Sequence, residues 1–261
     1  MLRGSLKNIA ASLLSCAALL AAAPMQASTL AYSHDFQWDV GAPAPYGWSA
    51  GTIQSAPNPD YGGWRRYLGE FVNDNVTLSL GGLAPHGFVT VAFDLYLLRS
   101  WDGLATDYGQ DFFGLNAGAT NLFLESFSNG HPAGQSFCGT ACVPGQTVYA
   151  PMTGATERYS LGYQFGNWLP GSGKTEPEVM DSVYRLSFTF AHAASDLQLS
   201  FFGQGLSLDN SAGYADESWG LDNVSVHLLP IPEPETWALL LAGLGLLAWR
   251  TRRRIPAADF Q

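Results

Sequence analysis

Residues 88–98 read FVTVAFDLYLL, with Val89, Val91, Phe93, Leu95 and Leu97 on one parity and Thr90, Asp94 and Tyr96 on the other. Successive side chains of a strand point to opposite sides, so this alternation predicts a strand with one buried face. The period recurs in SVYRLSFTF, where Tyr184, Leu186, Phe188 and Phe190 alternate with Arg185, Ser187 and Thr189. It recurs again in LQLSFFG, which turns Leu197, Leu199 and Phe201 inward. Residues 76–80, 112–116, 122–127, 158–165 and 221–228 are further candidate strands. Gly, Pro, Asn and Asp break the chain between them, and no long helical period intervenes before the C-terminal segment. Many short antiparallel strands predict an all-β fold, a two-sheet antiparallel β-sandwich of jelly-roll type. Residues 42–63, with Pro43, Pro45, Pro57 and Pro59, read as an irregular loop in which Trp48 and Tyr61 cover a sheet edge.

Both ends differ from this middle. Residues 1–27 carry Arg3 and Lys7, an apolar run and then small residues, the plan of a secretory signal peptide cut after Ala27. At the other end, PIPEPETWALLLAGLGLLAWRTRRR joins a proline-rich linker to an apolar run over 237–249 and to Arg250, Arg252, Arg253 and Arg254. A helix of that run is roughly 20 Å long, short of the ~30 Å hydrocarbon core of a bilayer. It lodges in a membrane as a weak stop, and the arginines hold it on the cytoplasmic side. The organisation is a signal peptide (1–27), a sandwich (28–229), a C-terminal segment with a short membrane helix (230–254) and a cytoplasmic tail (255–261).

Residues 28–229 contain nineteen Asp and Glu against six Lys and Arg, a net charge of −13 with His neutral. Such a surface repels phosphate backbones, which excludes nucleic acid as a partner. It suits cations or neutral carbohydrate. Cys138 and Cys142, in CGTAC, are the cysteines of this region and read as a loop disulfide in an oxidising compartment.

Two catalytic motifs fail their context. GWSAG (47–51) matches a nucleophile elbow without the strand before it and the helix after it. GSGKT (171–175) lacks the first glycine of a phosphate loop, and Glu176-Pro177 stands where its helix would start. The five histidines are scattered, with no pair at metal-ligand spacing. The acidic loops carry more. SWDGLATDYGQD supplies Asp102, Asp107 and Asp111 after one strand, and ADESWGLDN supplies Glu217, Asp222 and Asn223 before the last. Calcium takes six to eight oxygen ligands in irregular geometry, so two such loops meeting at a sandwich edge are a candidate calcium site. The competing reading is solvated turn acids, with Trp101 and Trp219 as lids on the core and Arg99 and Arg185 relieving the repulsion.

The linker Ile231-Pro232-Glu233-Pro234, the Thr236-Trp237 pair, the leucine-rich run and the arginine cluster resemble the PEP-CTERM sorting signal of Gram-negative exported proteins. The resemblance covers about 25 residues. It implies Pro232, Glu233 and Pro234 as the sorting element and Arg250, Arg252, Arg253 and Arg254 as a basic brake. It implies transient residence in the inner membrane, processing by an exosortase, a cysteine transpeptidase-like membrane enzyme, and delivery to the cell surface or extracellular matrix. Glu235, where that family has a small residue, and the seven residues after the arginines depart from the pattern. FDLYLLRSWDG (93–103) and DESWGLDNVSV (216–226) also resemble β-sandwich domains of such surface proteins, which supports the fold and the pairing of the acidic loops. The expectation is a non-enzymatic surface or matrix protein that binds polysaccharide through aromatics such as Trp48, Tyr61, Trp64 or Trp168. The alternative is a secreted polysaccharide hydrolase using carboxylates such as Asp94, Glu125 and Glu157 across a groove.

Overall fold

The computed structural model describes residues 28–37, 44–57, 65–165, 178–208, 216–231 and 234–252. The expected signal peptide, Tyr61, Trp64, Trp168, GSGKT, Pro232, Glu233, Arg253, Arg254 and residues 255–261 lie outside them. Two antiparallel sheets pack face to face. The larger runs in the order β2 (Ile53–Ser55), β3 (Arg66–Phe71), β13 (Glu217–Leu229), β5 (Phe88–Arg99), β11 (Asp181–Ala191) and β8 (Glu157–Arg158), with β1 (Thr29–His34) beside the second half of β13. The smaller runs β4 (Asn75–Leu80), β12 (Leu197–Gln204), β6 (Phe112–Ala117) and β7 (Thr120–Ser126). A short ribbon pairs β9 (Gln164–Phe165) with β10 (Glu178–Val179).

The chain changes sheet at each step from β3 to β4, β5 and β6, and again from β11 to β12 and β13. Four central strands of the large sheet face four of the small one in the interleaved order of a jelly roll. The alternation read from the sequence sets the core: Val89, Val91, Phe93, Leu95 and Leu97 all face the small sheet. Phe93 touches the rings of Phe113, Phe188 and Phe201, and Phe201 in turn meets Trp48. Trp101 and Trp219 are fully buried; their indole N–H groups donate to Ser218 O and Val72 O, both at 2.8 Å.

Several details depart from the sequence-based expectation. The sequence pattern missed β1, β2 and β3. Residues 158–165 do not form one strand: after β8 the chain crosses the outer face of the large sheet, where the Asp181 carboxylate accepts from the Leu161 and Tyr163 amides at 3.0 Å each. Leu161 and Tyr163 there cover Tyr67, Tyr96, Leu98 and Val183, a second small core. The second half of β5 is therefore buried on both sides. Trp48 is a core residue rather than an exposed platform, and donates to the Tyr32 hydroxyl at 2.7 Å; its backbone does bridge Leu78 at the outer edge of β4. Cys138 and Cys142 are disulfide-bonded around a short turn, Gly139–Ala141.

The C-terminal unit contains helix α1 (Pro234–Arg252), which extends the expected 237–249 by about a turn at its N-terminal end and by three residues at its C-terminal end. No helix among the described residues is long and apolar enough to cross a membrane.

Replacing Phe201 by Ala removes a ring from the centre of the core and is expected to cost about 3–5 kcal/mol. Gln198→Ala, on the solvent side of the same strand, should stay within ~0.5 kcal/mol. Urea unfolding of the two variants checks both values.

Candidate functional site

At one end of the sandwich three acids from three segments converge. Asp102 follows β5, Asp111 precedes β6, and Glu217 is the first residue of β13. One carboxylate oxygen of each lies within 4.8 Å of the others. Local structure fixes them. Arg99 takes a left-handed φ of 67° and ends β5, after which buried Trp101 pins the turn by its bond to Ser218 O and by accepting the Asn129 amide at 2.9 Å. Gly103, at φ 69°, then passes so close to Gly134 O that a Cβ would lie 2.0 Å from it. Only glycine fits there. The Asp111 amide donates to Gly103 O at 2.9 Å, and the Asp111 carboxylate accepts from the Asp102 amide. Glu217 accepts from the Ser207 amide.

Asp111 and Glu217 are 1% exposed and Asp102 is half-buried. Burial pushes the Asp102 carboxyl up to about 6; His131 pulls it back, while Asp216 and Asp107 raise it. Burial likewise raises Asp111, and the charge of Asp102 adds to it. Glu217 is raised by burial first and by Asp111 second. Three carboxylates this close and this dry do not all stay ionised without help: they hold protons, or a cation sits among them.

The other expected ligands lie apart from this group. Asp107 is exposed and acts on Asp102 only through its charge. Asp222 and Asn223 are not in a loop before the last strand but inside it, on the outer face. The physical reason is the two-residue period: Glu217 and Asp222 are five apart on β13 and so point to opposite sides. There Asp222 accepts from the Tyr96 hydroxyl at 2.8 Å and from the Asn223 amide at 2.7 Å, while the Asn223 side chain donates to Asp94 at 2.8 Å. Burial pushes Asp222 up to about 7 against those two donors. Of the two arginines expected to relieve the cluster, Arg185 pairs with Asp94 at 3.0 Å and Arg99 with Glu70 at 2.6 Å.

The carboxylates named for hydrolysis are dispersed. Asp94 is in the network just described, Glu125 accepts from Ser136 Oγ at 2.5 Å, and Glu157 pairs with Arg65 at 2.6 Å. Ser49 of GWSAG accepts the Thr77 amide at 2.9 Å on the edge of β4, with no helix following. Residue spacing carries no hint that His86 and His192 meet: their rings stack with centroids 5.1 Å apart, and Nε2 of His86 bonds Nδ1 of His192 at 2.8 Å.

The opposite end of β13 leads to the C-terminal segment. Leu229 makes the last sheet pair, with Phe88. Residues 230–254 match the family of the PEP-CTERM protein-sorting motif. No curated protein sequence matches the chain. Solved structures that it resembles distantly include dimeric latent PorU from Porphyromonas gingivalis, at 12% identity and TM-score 0.31 over 62% of this chain and 10% of that one. Others are the CBM22-1 xylan-binding domain of Paenibacillus barcinonensis Xyn10C (14%, TM-score 0.34, 79% of this chain and 99% of that one) and the Agl-KA catalytic domain (13%, TM-score 0.31, 79% and 29%). The motif, which begins at the residue after the last sheet pair, marks the chain as an exported protein sorted by way of the membrane, with the sandwich as cargo and an exosortase-type enzyme as the partner the motif implies.

Proposed function

We propose that the exported sandwich is a non-enzymatic component of the cell surface or its extracellular matrix, that it binds polysaccharide there, and that Asp102, Asp111 and Glu217 take up a calcium ion that stiffens one end of the fold. The observation that carries the sorting half is the motif at 230–254, which begins where the last strand stops pairing. The convergence of three acids, two of them buried and one half-buried, carries the calcium half. Calcium accepts carboxylate and backbone oxygens without a fixed angular demand, which suits ligands drawn from three loops. A polysaccharide hydrolase of the common kind uses two carboxylates facing each other across a groove. Asp94, Glu125 and Glu157 are each engaged with a different partner instead.

Intact-mass measurement of protein taken from the native cell surface is expected to show loss of residues 237–261. Retention of those residues in a membrane-pelleted protein would establish a simple anchor in place of sorting.

The acidic cluster has a pH signature whose sign follows from the upward shifts. With a chelator present, Asp102 and Asp111 hold protons in the folded state that the unfolded chain has released by about pH 4. Their contribution is complete below that pH and is lost as pH rises through 6 to 7. The melting temperature in chelator should therefore fall from pH 5 to pH 8. Calcium competes with those protons, so its stabilisation should grow over the same interval, reaching about 2.7 kcal/mol at a hundredfold excess over its Kd. Glu217→Gln should raise the pH 8 melting temperature in chelator and abolish the calcium response. Superimposable calorimetric curves for the wild-type chain with calcium and with chelator at pH 8 would remove calcium from the proposal.

A further inference from the structure

The outward face of the small sheet has an unusual composition. Leu197, Leu199 and Phe201 of β12 enter the core, so Gln198, Ser200, Phe202 and Gln204 face the other way. The strand registers then build rungs across the sheet. Ser79 stands beside Gln198. Thr77, Ser200 and Asn116 form the next rung, extended by Asn121, whose amide donates to Asn116 Oδ1 at 2.9 Å. Asn75, Phe202, Gly114 and Leu124 form the third. None of these residues is charged, in a chain whose net charge is −10. The solvent side of a sheet is ordinarily studded with Lys and Glu. Here it is amides and hydroxyls, groups that donate and accept at once.

Phe202 sits in the middle of this face. Gly114 across the rung has no side chain, and a Cβ there would lie 2.2 Å from the ring's Cζ, so the ring rests against the bare backbone. The ring is half-buried and does not belong to the core, while Leu124 beside it is 42% exposed. At one end of the face, Ser79 and Gln198 continue into the wall of an open depression of about 500 Å³ that also holds His192 and Asp196.

We propose that this face binds a neutral polysaccharide chain, with Phe202 as the platform on which one sugar ring stacks. This rests on the carbohydrate-binding reading above and gives it a place. Covering the face withdraws no charge from water, so it is cheap for a neutral ligand. Sugar hydroxyls meet side chains able to serve them as donor or acceptor, and the apolar C–H face of a pyranose matches a flat aromatic ring. The acids at the margin, Asp74 and Asp196, repel uronate polymers and favour an uncharged one.

The full chain, held in a sugar-free detergent, is run through native gels containing hydroxyethylcellulose, dextran or alginate, and sedimentation velocity follows its self-association. The proposal expects retardation by at least one of the two neutral polymers and none by alginate. Phe202→Ala and Ser200→Glu should each weaken the retardation about tenfold with the melting temperature of Ser200→Glu unchanged. Retardation that survives both substitutions would overturn the assignment to this face while leaving carbohydrate binding intact. No retardation by either neutral polymer would overturn both. Self-association of the wild-type chain that Ser200→Glu abolishes would give the face to a second copy and overturn the polysaccharide.

Discussion

Strand β13 lies between β5 on one side and both β3 and β1 on the other, so the hydrogen bonds of one thirteen-residue segment close a sheet drawn from the whole chain before it. Its neighbour changes partway along. β3 pairs with Trp219, Gly220 and Leu221, and β1 takes over at Val224. Between them the register with β5 slips after Asp222, and Asn223 adopts a left-handed φ of 50°. That bulge re-aims the backbone so that the second half of the strand meets a different partner without leaving its amides unpaired. Asparagine tolerates the conformation, and its side chain closes the gap by bonding Asp94.

The two faces of that strand bury acid in different ways. On the outer face, Asp94 and Asp222 sit opposite each other with Arg185, Tyr96 and Asn223 supplying cationic or hydrogen-bonding partners. This network is satisfied by the protein itself. At the end of the strand on the inner side, Asp111 and Glu217 each receive a backbone amide, and with Asp102 three carboxylates face one another. Amides delocalise little charge compared with an arginine, and burial is the largest influence on all three groups. The contrast separates a network that brings an arginine and a tyrosine hydroxyl to its acids from a site in which three carboxylates face one another, the arrangement a cation would relieve.

Much of the sandwich was legible because its core strands obey a strict period of two. Val89 to Leu97 and Leu197 to Phe201 kept their parity from sequence to core. The failures have definite causes. In β3, RYLGEF, Tyr67 and Leu68 are both fully buried because Tyr67 serves the small outer core and Leu68 the main one, so no alternation remains to be read. Strand β1 is largely exposed, with Tyr32 packing against the main core, and it is held in place by pairing with β13. Leu161 and Tyr163 mimic alternation while lying on an irregular segment pinned by Asp181. The acidic loops were legible as a pair, yet the assignment of Asp222 to them ignored the parity that had worked elsewhere. His86 and His192 illustrate the remaining limit: 106 residues separate two rings that touch.

The junction between cargo and sorting signal follows from the same sheet. Leu229 is the last residue of β13 to pair, and its carbonyl also accepts the Gly87 amide at 2.9 Å, while Ile231 packs over the Cα of Gly87. The strand is thus tied down to the point where the matched motif starts, and Pro230, which has no amide to donate, ends the pairing. A cut made beyond Ile231 leaves every sheet pair of β13 in place. A cut before Leu229 would shorten the strand on which β1, β3 and β5 all depend. Removal of the signal is therefore neutral for the sheet only on the far side of Ile231.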